Sequence, residues 1–91
     1  TESLSALRKQ IDDLDNKLMD LLTQRMRVSR EIGTYKKKHA MAVVQTGRYS
    51  EILDKRGVQG AMCGMDAEFV KKIFVAIHEE SVRQQMDIIN K

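Results

Sequence analysis

A long run of heptad spacing near the start of the chain constrains its fold more than any other feature. Apolar side chains recur at alternating intervals of three and four residues at Leu4, Leu7, Ile11, Leu14, Leu18 and Leu21. Val28, Ile32 and Tyr35 continue this register, so the pattern predicts one helix over residues 3–38. That helix would be about 50 Å long, whereas a compact chain of this size is only roughly 30 Å across. Its apolar seam therefore predicts a homodimer, because one chain cannot cover it.

The remainder of the chain is also predicted to be helical. The sequence contains no proline and only four aromatic residues, and its few β-branched runs make a sheet unfavourable. After a connection over residues 39–46, a short helix is expected over residues 47–56, ended by Gly57. Gly57, Gly60 and Gly64 predict a flexible loop, and Asp66 is a good N-cap for a third helix. The expected fold class is all-α, with one very long, one short and one long helix.

Composition excludes several classes of protein. With 91 residues the chain is one domain, and its longest apolar run is far too short to span a membrane. The net charge of +3 fits a small anionic ligand better than nucleic acid. The single Cys63 and the absence of a signal-peptide pattern predict a reducing, cytoplasmic setting. His39 and His78 lack metal-ligand spacing, so no metal is expected and both are predicted at helix ends or on the surface.

Several polar residues interrupt the apolar faces of the predicted helices. On the long helix, Arg25 occupies an a position of the heptad, and Lys36 returns to nearly the same face three turns later. Arg48 precedes Ile52 by one turn on the second helix. Ser81 and Gln85 interrupt the stripe of the third helix together, at i and i+4.

Each interruption also has a purely structural interpretation. An a-position arginine can fix register or join a buried ion pair, a lysine at a helix end can be solvated, and Ser81 and Gln85 can form a satisfied pair. Taken together, three cations without obvious acidic partners favour a buried anion site. Arg8 is a fourth candidate, but it lies roughly 25 Å from Arg25 along the helix. In an antiparallel helix pair, Arg8 of one protomer could approach Arg25 of the other.

The ordered set of these residues resembles a known family, the all-helical chorismate mutases, notably the small domain of bifunctional chorismate mutase–prephenate dehydratases. The resemblance runs over nearly the full length. It is carried by Leu7-Arg8-Lys9-Gln10-Ile11-Asp12-Asp13-Leu14-Asp15, Gln24-Arg25, Glu31-Ile32-Gly33-Thr34-Tyr35-Lys36, Arg48, Met65-Asp66-Ala67 through Ile73-Phe74, Glu80-Ser81-Val82 and Gln84-Gln85.

This resemblance implies an intertwined homodimer with two shared sites, each taking Arg8 from one protomer and the other residues from its partner. The family converts chorismate to prephenate in phenylalanine and tyrosine biosynthesis, a [3,3]-sigmatropic rearrangement that needs no cofactor. By resemblance, Arg8 and Arg25 grip the substrate carboxylates with help from Arg48 and Ser81. Lys36 and Gln85 would donate to the ether oxygen. The resemblance also leaves room for fusion of residues 1–91 to another shikimate-pathway enzyme.

The sequence departs from the family pattern at two positions. Many members carry an Asp three residues before the Arg48 position and a Glu just after it, where this chain has Gln45 and Tyr49. In the family this region contacts the ring hydroxyl of the substrate, so either residue is a candidate hydrogen-bonding substitute. Two alternatives remain open: an isochorismate-pyruvate lyase of the same fold, and a non-catalytic helical dimer that binds partners.

Overall fold

Three α-helices make up the protein, and the computed structural model describes residues 3–91. Helix α1 spans Leu4–Lys38, α2 spans Thr46–Met62 and α3 spans Ala67–Ile89, and residues 3–91 contain no strand. The predicted all-α class is therefore confirmed. Over the same residues, none of the helices combines the length and apolar character needed to cross a membrane.

Helix α1 begins and ends as its sequence predicts. The side chain of Ser3 accepts a hydrogen bond of 3.1 Å from the backbone N–H of Ala6, which satisfies one of the unpaired donors of the first turn. Three lysines occupy the last turn, where the helix dipole favours positive charge, and His39 follows as the C-cap.

The predicted end of α2 is wrong. The helix does not stop at Gly57 but continues to Met62, and Gly57 and Gly60 lie buried inside it. A Cβ at Gly60 would overlap Cγ2 of Val70 and lie 2.9 Å from its Cβ, so this glycine lets α3 approach closely. Only Gly64, with φ of 84°, lies in the turn between the helices and uses the left-handed conformation that glycine favours.

Helix α3 is the central element, because it packs against both α1 and α2 while the backbones of those two helices stay apart throughout residues 3–91. Asp66 occupies the predicted N-cap position, although its side chain makes no capping hydrogen bond. Val70 is the one buried apolar side chain of the described residues. The chain extends over 57 Å with a radius of gyration of 16.5 Å, against about 12 Å for a compact chain of this length.

We expect Gly60→Ala to lower the free energy of unfolding by about 1–3 kcal/mol, because the new methyl group overlaps Val70. The matched control is Gly47→Ala in the first turn of the same helix, where an added Cβ meets nothing within 4 Å. The control should leave stability unchanged or raise it by up to about 1 kcal/mol. Urea unfolding followed by circular dichroism measures both, and equal effects would contradict the close contact.

Candidate active site

A single cavity gathers nearly all the polar residues that interrupt the helical patterns. It has a volume of about 460 Å³ and is lined by residues of all three helices. The predicted site residues that line it are Arg25 and Lys36 from α1, Gln45, Arg48 and Tyr49 from α2 and its N-cap, and Ser81 and Gln85 from α3. Of the predicted set, only Arg8 lies elsewhere.

Arg25 links α1 to α3 at the cavity. Its Nη1 donates a hydrogen bond of 3.0 Å to Oγ of Ser81, which is itself buried. Burial lowers the pKa of Arg25, and the nearby charge of Arg56 lowers it further. Arg25 is nevertheless exposed in the single chain, and the guanidinium N–H groups that do not contact Ser81 are available to a ligand.

Lys36 and Gln85 make the second link between these helices. Nζ of Lys36 donates to the amide oxygen of Gln85 at 3.0 Å and also to the backbone carbonyl of Val43. The amide nitrogen of Gln85 donates to Oγ of Ser29 at 3.1 Å, and Ser29 in turn donates to the carbonyl of Ser81 at 3.3 Å. Burial lowers the pKa of Lys36. The amide of Gln85 is thus held at both ends in a fixed orientation.

Ser29 is a site residue that the sequence analysis missed. It is buried one turn after Arg25 and one turn before Gly33, which is also buried. A Cβ at Gly33 would lie 3.1 Å from Cα of Gln85, so small residues at this face bring α3 close to α1. Two small residues, Ser29 and Gly33, lie at i and i+4 between Arg25 and Lys36. This spacing could have identified the contact from the sequence.

His78 is a second missed residue, and its predicted surface position is wrong. It lies half-buried in the cavity wall, one turn before Ser81 on α3, and its ring stacks on that of Tyr49. The ring centroids are 3.8 Å apart with an interplanar angle of 21°. Burial lowers the pKa of His78, and the positive charges of Arg25 and Lys36 lower it further against a small opposing effect of Glu79.

The cavity carries positive charge without a carboxylate in its wall. Arg25, Lys36 and Arg48 line it, and no Asp or Glu is among the lining residues that the structure describes. The side chain of Arg48 makes no hydrogen bond within residues 3–91, whereas that of Gln45 donates to the carbonyl of Ala42 at 3.2 Å. Because unpaired cations in a partly desolvated cleft favour counter-ions, this wall suits a ligand with more than one negative charge.

Arg8 is exposed on the N-terminal half of α1, and seventeen residues of helix separate it from Arg25, about 25 Å. It therefore cannot reach the cavity of its own chain. No group of His, Cys, Asp or Glu side chains in residues 3–91 is arranged to hold a metal ion.

Comparison with known proteins identifies the family. The chorismate mutase type II family matches residues 7–86. A 4-amino-4-deoxychorismate mutase of Streptomyces venezuelae is 31% identical over 80 residues, covering 88% of this chain and 78% of that protein. A bifunctional chorismate mutase/prephenate dehydratase of Escherichia coli K12 is 31% identical over 88 residues, covering 97% of this chain. The T-protein of Enterobacter agglomerans is 27% identical over 84 residues, or 92% of this chain.

This chain spans 23% of the length of the bifunctional protein and 22% of that of the T-protein. Its match to each nevertheless runs through all three helices, as does the family match. On these grounds the chain belongs to the chorismate mutase type II family.

Proposed function

We propose that this protein converts chorismate to prephenate by a [3,3]-sigmatropic rearrangement. The observation that carries the proposal is the cavity in which Arg25, Lys36 and Arg48 face a space without a carboxylate in its wall. Chorismate is a dianion whose ether bridge must fold over its ring before it can react. A cationic cavity that fixes both carboxylates selects the folded conformer, which lowers the entropic part of the barrier.

In this proposal the guanidinium groups of Arg25 and Arg48 bind the substrate carboxylates. Arg25 is held by Ser81 at one end of its fork and keeps further N–H donors for a bidentate contact with a carboxylate. Arg48 lines the same cavity and makes no competing hydrogen bond within the described residues. Ser81 assists by keeping the Arg25 side chain in place, and its hydroxyl is also within the cavity.

Lys36 and Gln85 carry the chemical step in this proposal. Negative charge grows on the ether oxygen as its bond to the ring breaks, and a charged amine beside it stabilises the transition state more than the substrate. The amide nitrogen of Gln85 has two hydrogens, of which one is used by Ser29. The second is available to the same oxygen. No covalent intermediate and no cofactor enter this scheme.

The site is completed by a second copy of the chain in this proposal. Large apolar residues along the N-terminal half of α1 are exposed, among them Leu4, Leu7, Ile11, Leu14, Leu18 and Leu21. The accessible surface is 7114 Å², against about 5,400 Å² for a compact monomer of this mass. An antiparallel partner helix would cover this seam and bring its Arg8 to the open side of Arg25. Apart from Arg8 of the second copy, all the groups proposed to bind or act on the substrate lie within residues 25–85. The proposed chemistry therefore requires no fused domain.

The setting proposed for this reaction is the cytoplasm. Cys63 is a free, exposed thiol, which fits a reducing compartment. A fusion to another shikimate-pathway enzyme, as in the relatives named as bifunctional, is compatible with residues 1–91 acting as the mutase domain.

A chorismate-depletion assay with identification of the product tests the proposed reaction. Formation of prephenate supports it, release of pyruvate would identify a lyase, and unchanged chorismate would indicate a binding protein. Arg25→Ala serves as the control for trace contamination, because it removes a carboxylate contact and should lower kcat/KM by at least about 100-fold.

The dependence of kcat/KM on pH should be nearly flat between about pH 6.5 and 8. Gln85 does not titrate, and the lowered pKa of His78 favours its uncharged form in this range. The lowered pKa of Lys36 moves the alkaline decline, caused by loss of its charge, below the pH at which a free lysine would lose it. A stopped-flow pH profile measures this, and a steep step near pH 7 would point to a histidine acting in the chemical step.

Gln85→Glu should lower kcat by roughly 100-fold at neutral pH and recover in acid. An ionised carboxylate cannot donate to the ether oxygen and repels its growing charge, whereas a protonated carboxyl group donates as the amide does. Initial rates between pH 4.5 and 8 measure the effect. The control is Gln84→Glu, whose side chain lies outside the cavity; equal pH profiles for the two variants would contradict the role of Gln85.

Mixed dimers test the shared site. Arg8→Ala and Arg25→Ala should each be strongly impaired alone, because every site lacks one arginine. When the two variants are unfolded together and refolded, about half the dimers are mixed and each has one complete site. Activity should therefore return to about a quarter of that of the unsubstituted protein, with its KM. Failure to recover activity despite heterodimers demonstrated by native mass spectrometry would exclude an interchain site.

A further inference from the structure

The polar side chains of the cavity fall into two sets. Six form hydrogen bonds within the chain: Arg25 with Ser81, Lys36 with Gln85, Gln85 with Ser29, and Gln45 with the backbone carbonyl of Ala42. A second set makes no hydrogen bond to any of residues 3–91 and consists of Arg48, Tyr49 and His78. Within that set, the uncharged hydrogen-bonding groups are the phenol of Tyr49 and the imidazole of His78.

The imidazole of His78 is held in a defined orientation. Its ring stacks on Tyr49 across the contact between α2 and α3, with 3.8 Å between centroids. Stacking fixes the plane of the imidazole and leaves its two ring nitrogens at the ring edge. A neutral imidazole offers one donor and one acceptor, which is the complement of a hydroxyl group.

The electrostatic surroundings of His78 disfavour a second positive charge. The charges of Arg25 and Lys36 on α1 act on it, Arg48 lines the same cavity from α2 beside Tyr49, and Glu79 on α3 opposes these cations. Burial and the two α1 cations lower the pKa of the imidazole. The same field acts on any group bound beside the ring, so an ammonium would be disfavoured there and an uncharged hydroxyl would not.

The polar groups of chorismate match these two sets of cavity side chains. It carries two carboxylates, an ether oxygen, and one hydroxyl on the ring carbon next to the one that bears the ether. Lys36, proposed to contact the ether oxygen, donates to the carbonyl of Val43, so the backbone leading into α2 lies beside it. Tyr49 is one turn into α2. A hydroxyl beside an ether oxygen held by Lys36 can therefore face the side of the cavity formed by α2 and by His78, which stacks on Tyr49.

We propose that His78, held against Tyr49, is a specificity-determining residue that contacts the ring hydroxyl of the substrate and makes the site favour this uncharged group over an ammonium. This inference rests on the function proposed above and extends it to the choice between two substrates. Chorismate and 4-amino-4-deoxychorismate differ at this position alone, and one relative named above is a mutase of the amino compound.

The test compares kcat/KM for these two compounds at pH 7, where the amine is protonated. Four forms of the full chain are measured: the unsubstituted protein, His78→Gln, His78→Ile and His78→Glu. The matched control is Ser50→Glu, which adds the same charge at an exposed position of α2 next to Tyr49 but outside the cavity. Circular dichroism and sedimentation confirm that each variant is folded and has the oligomeric state of the unsubstituted protein.

We expect the unsubstituted protein to prefer chorismate by about tenfold or more. His78→Gln keeps a neutral donor and acceptor and should retain the ratio within about twofold. His78→Ile removes the contact and should reduce the ratio about fivefold. His78→Glu should shift the ratio toward the amino compound by at least about tenfold, whereas Ser50→Glu should leave it unchanged.

Several results would overturn the proposal. A preference of the unsubstituted protein for the amino compound would contradict it directly. If His78→Glu does not fold, the other two variants decide, since equal ratios for His78→Ile and His78→Gln would show that His78 does not contact the substituent. If the protein converts chorismate but no substitution at His78 changes the ratio of kcat/KM values, the role of His78 is overturned and the proposed function is not. Turnover of neither compound by the unsubstituted protein overturns the proposed function and this inference together.

Discussion

The close contact of α1 with α3 at Gly33 is the constraint on which the rest of the site depends. Because Gly33 has no side chain, Gln85 lies against the α1 backbone and its amide reaches both Lys36 and Ser29. A Cβ at this position would lie 3.1 Å from Cα of Gln85, so α3 would have to shift by a few tenths of an ångström. The precision of the site thus comes from a missing side chain on one helix as much as from the polar groups on the other.

The positive charges of the cavity lower the stability of the fold. Burial lowers the pKa of both Arg25 and Lys36, which means that their charged forms are disfavoured by the folded structure. No carboxylate among the described lining residues offsets this. In the proposed function, a bound dianion would supply a counter-charge and thereby stabilise the fold.

The sequence predicts the parts of this structure that depend on periodicity and fails where tertiary contact decides. The bounds of α1 follow from its heptads and from Ser3, and the convergence of Arg25 with Lys36 follows from helical geometry alone. The predicted end of α2 at Gly57 is wrong because glycine commonly ends a helix, whereas Gly57 and Gly60 lie buried inside this one and a Cβ at Gly60 would overlap Val70. Predicting a buried glycine of this kind requires knowing which helix packs against it.

The missed site residues have a related explanation. Ser29 is unremarkable as a polar residue on a helix, and its place in the network becomes evident only when Ser81 and Gln85 are set against it. His78 lies three residues before Ser81 and seven before Gln85, so helical spacing could have placed it on the face that these two residues interrupt. Its position depends on the stack with Tyr49, a contact between two helices whose packing angle the sequence does not specify.

The length of α1 connects the proposed assembly with the proposed chemistry. A helix of 35 residues extends well beyond the body formed with α2 and α3, so its N-terminal leucines remain exposed in a single chain. The same overhang carries Arg8 away from the cavity of its own chain. Shortening the helix would remove the exposed seam and the distant arginine together, because both follow from a rise of about 1.5 Å per residue. In the proposed dimer, the contact between helices that covers the seam therefore also completes the site, and neither can occur without the other.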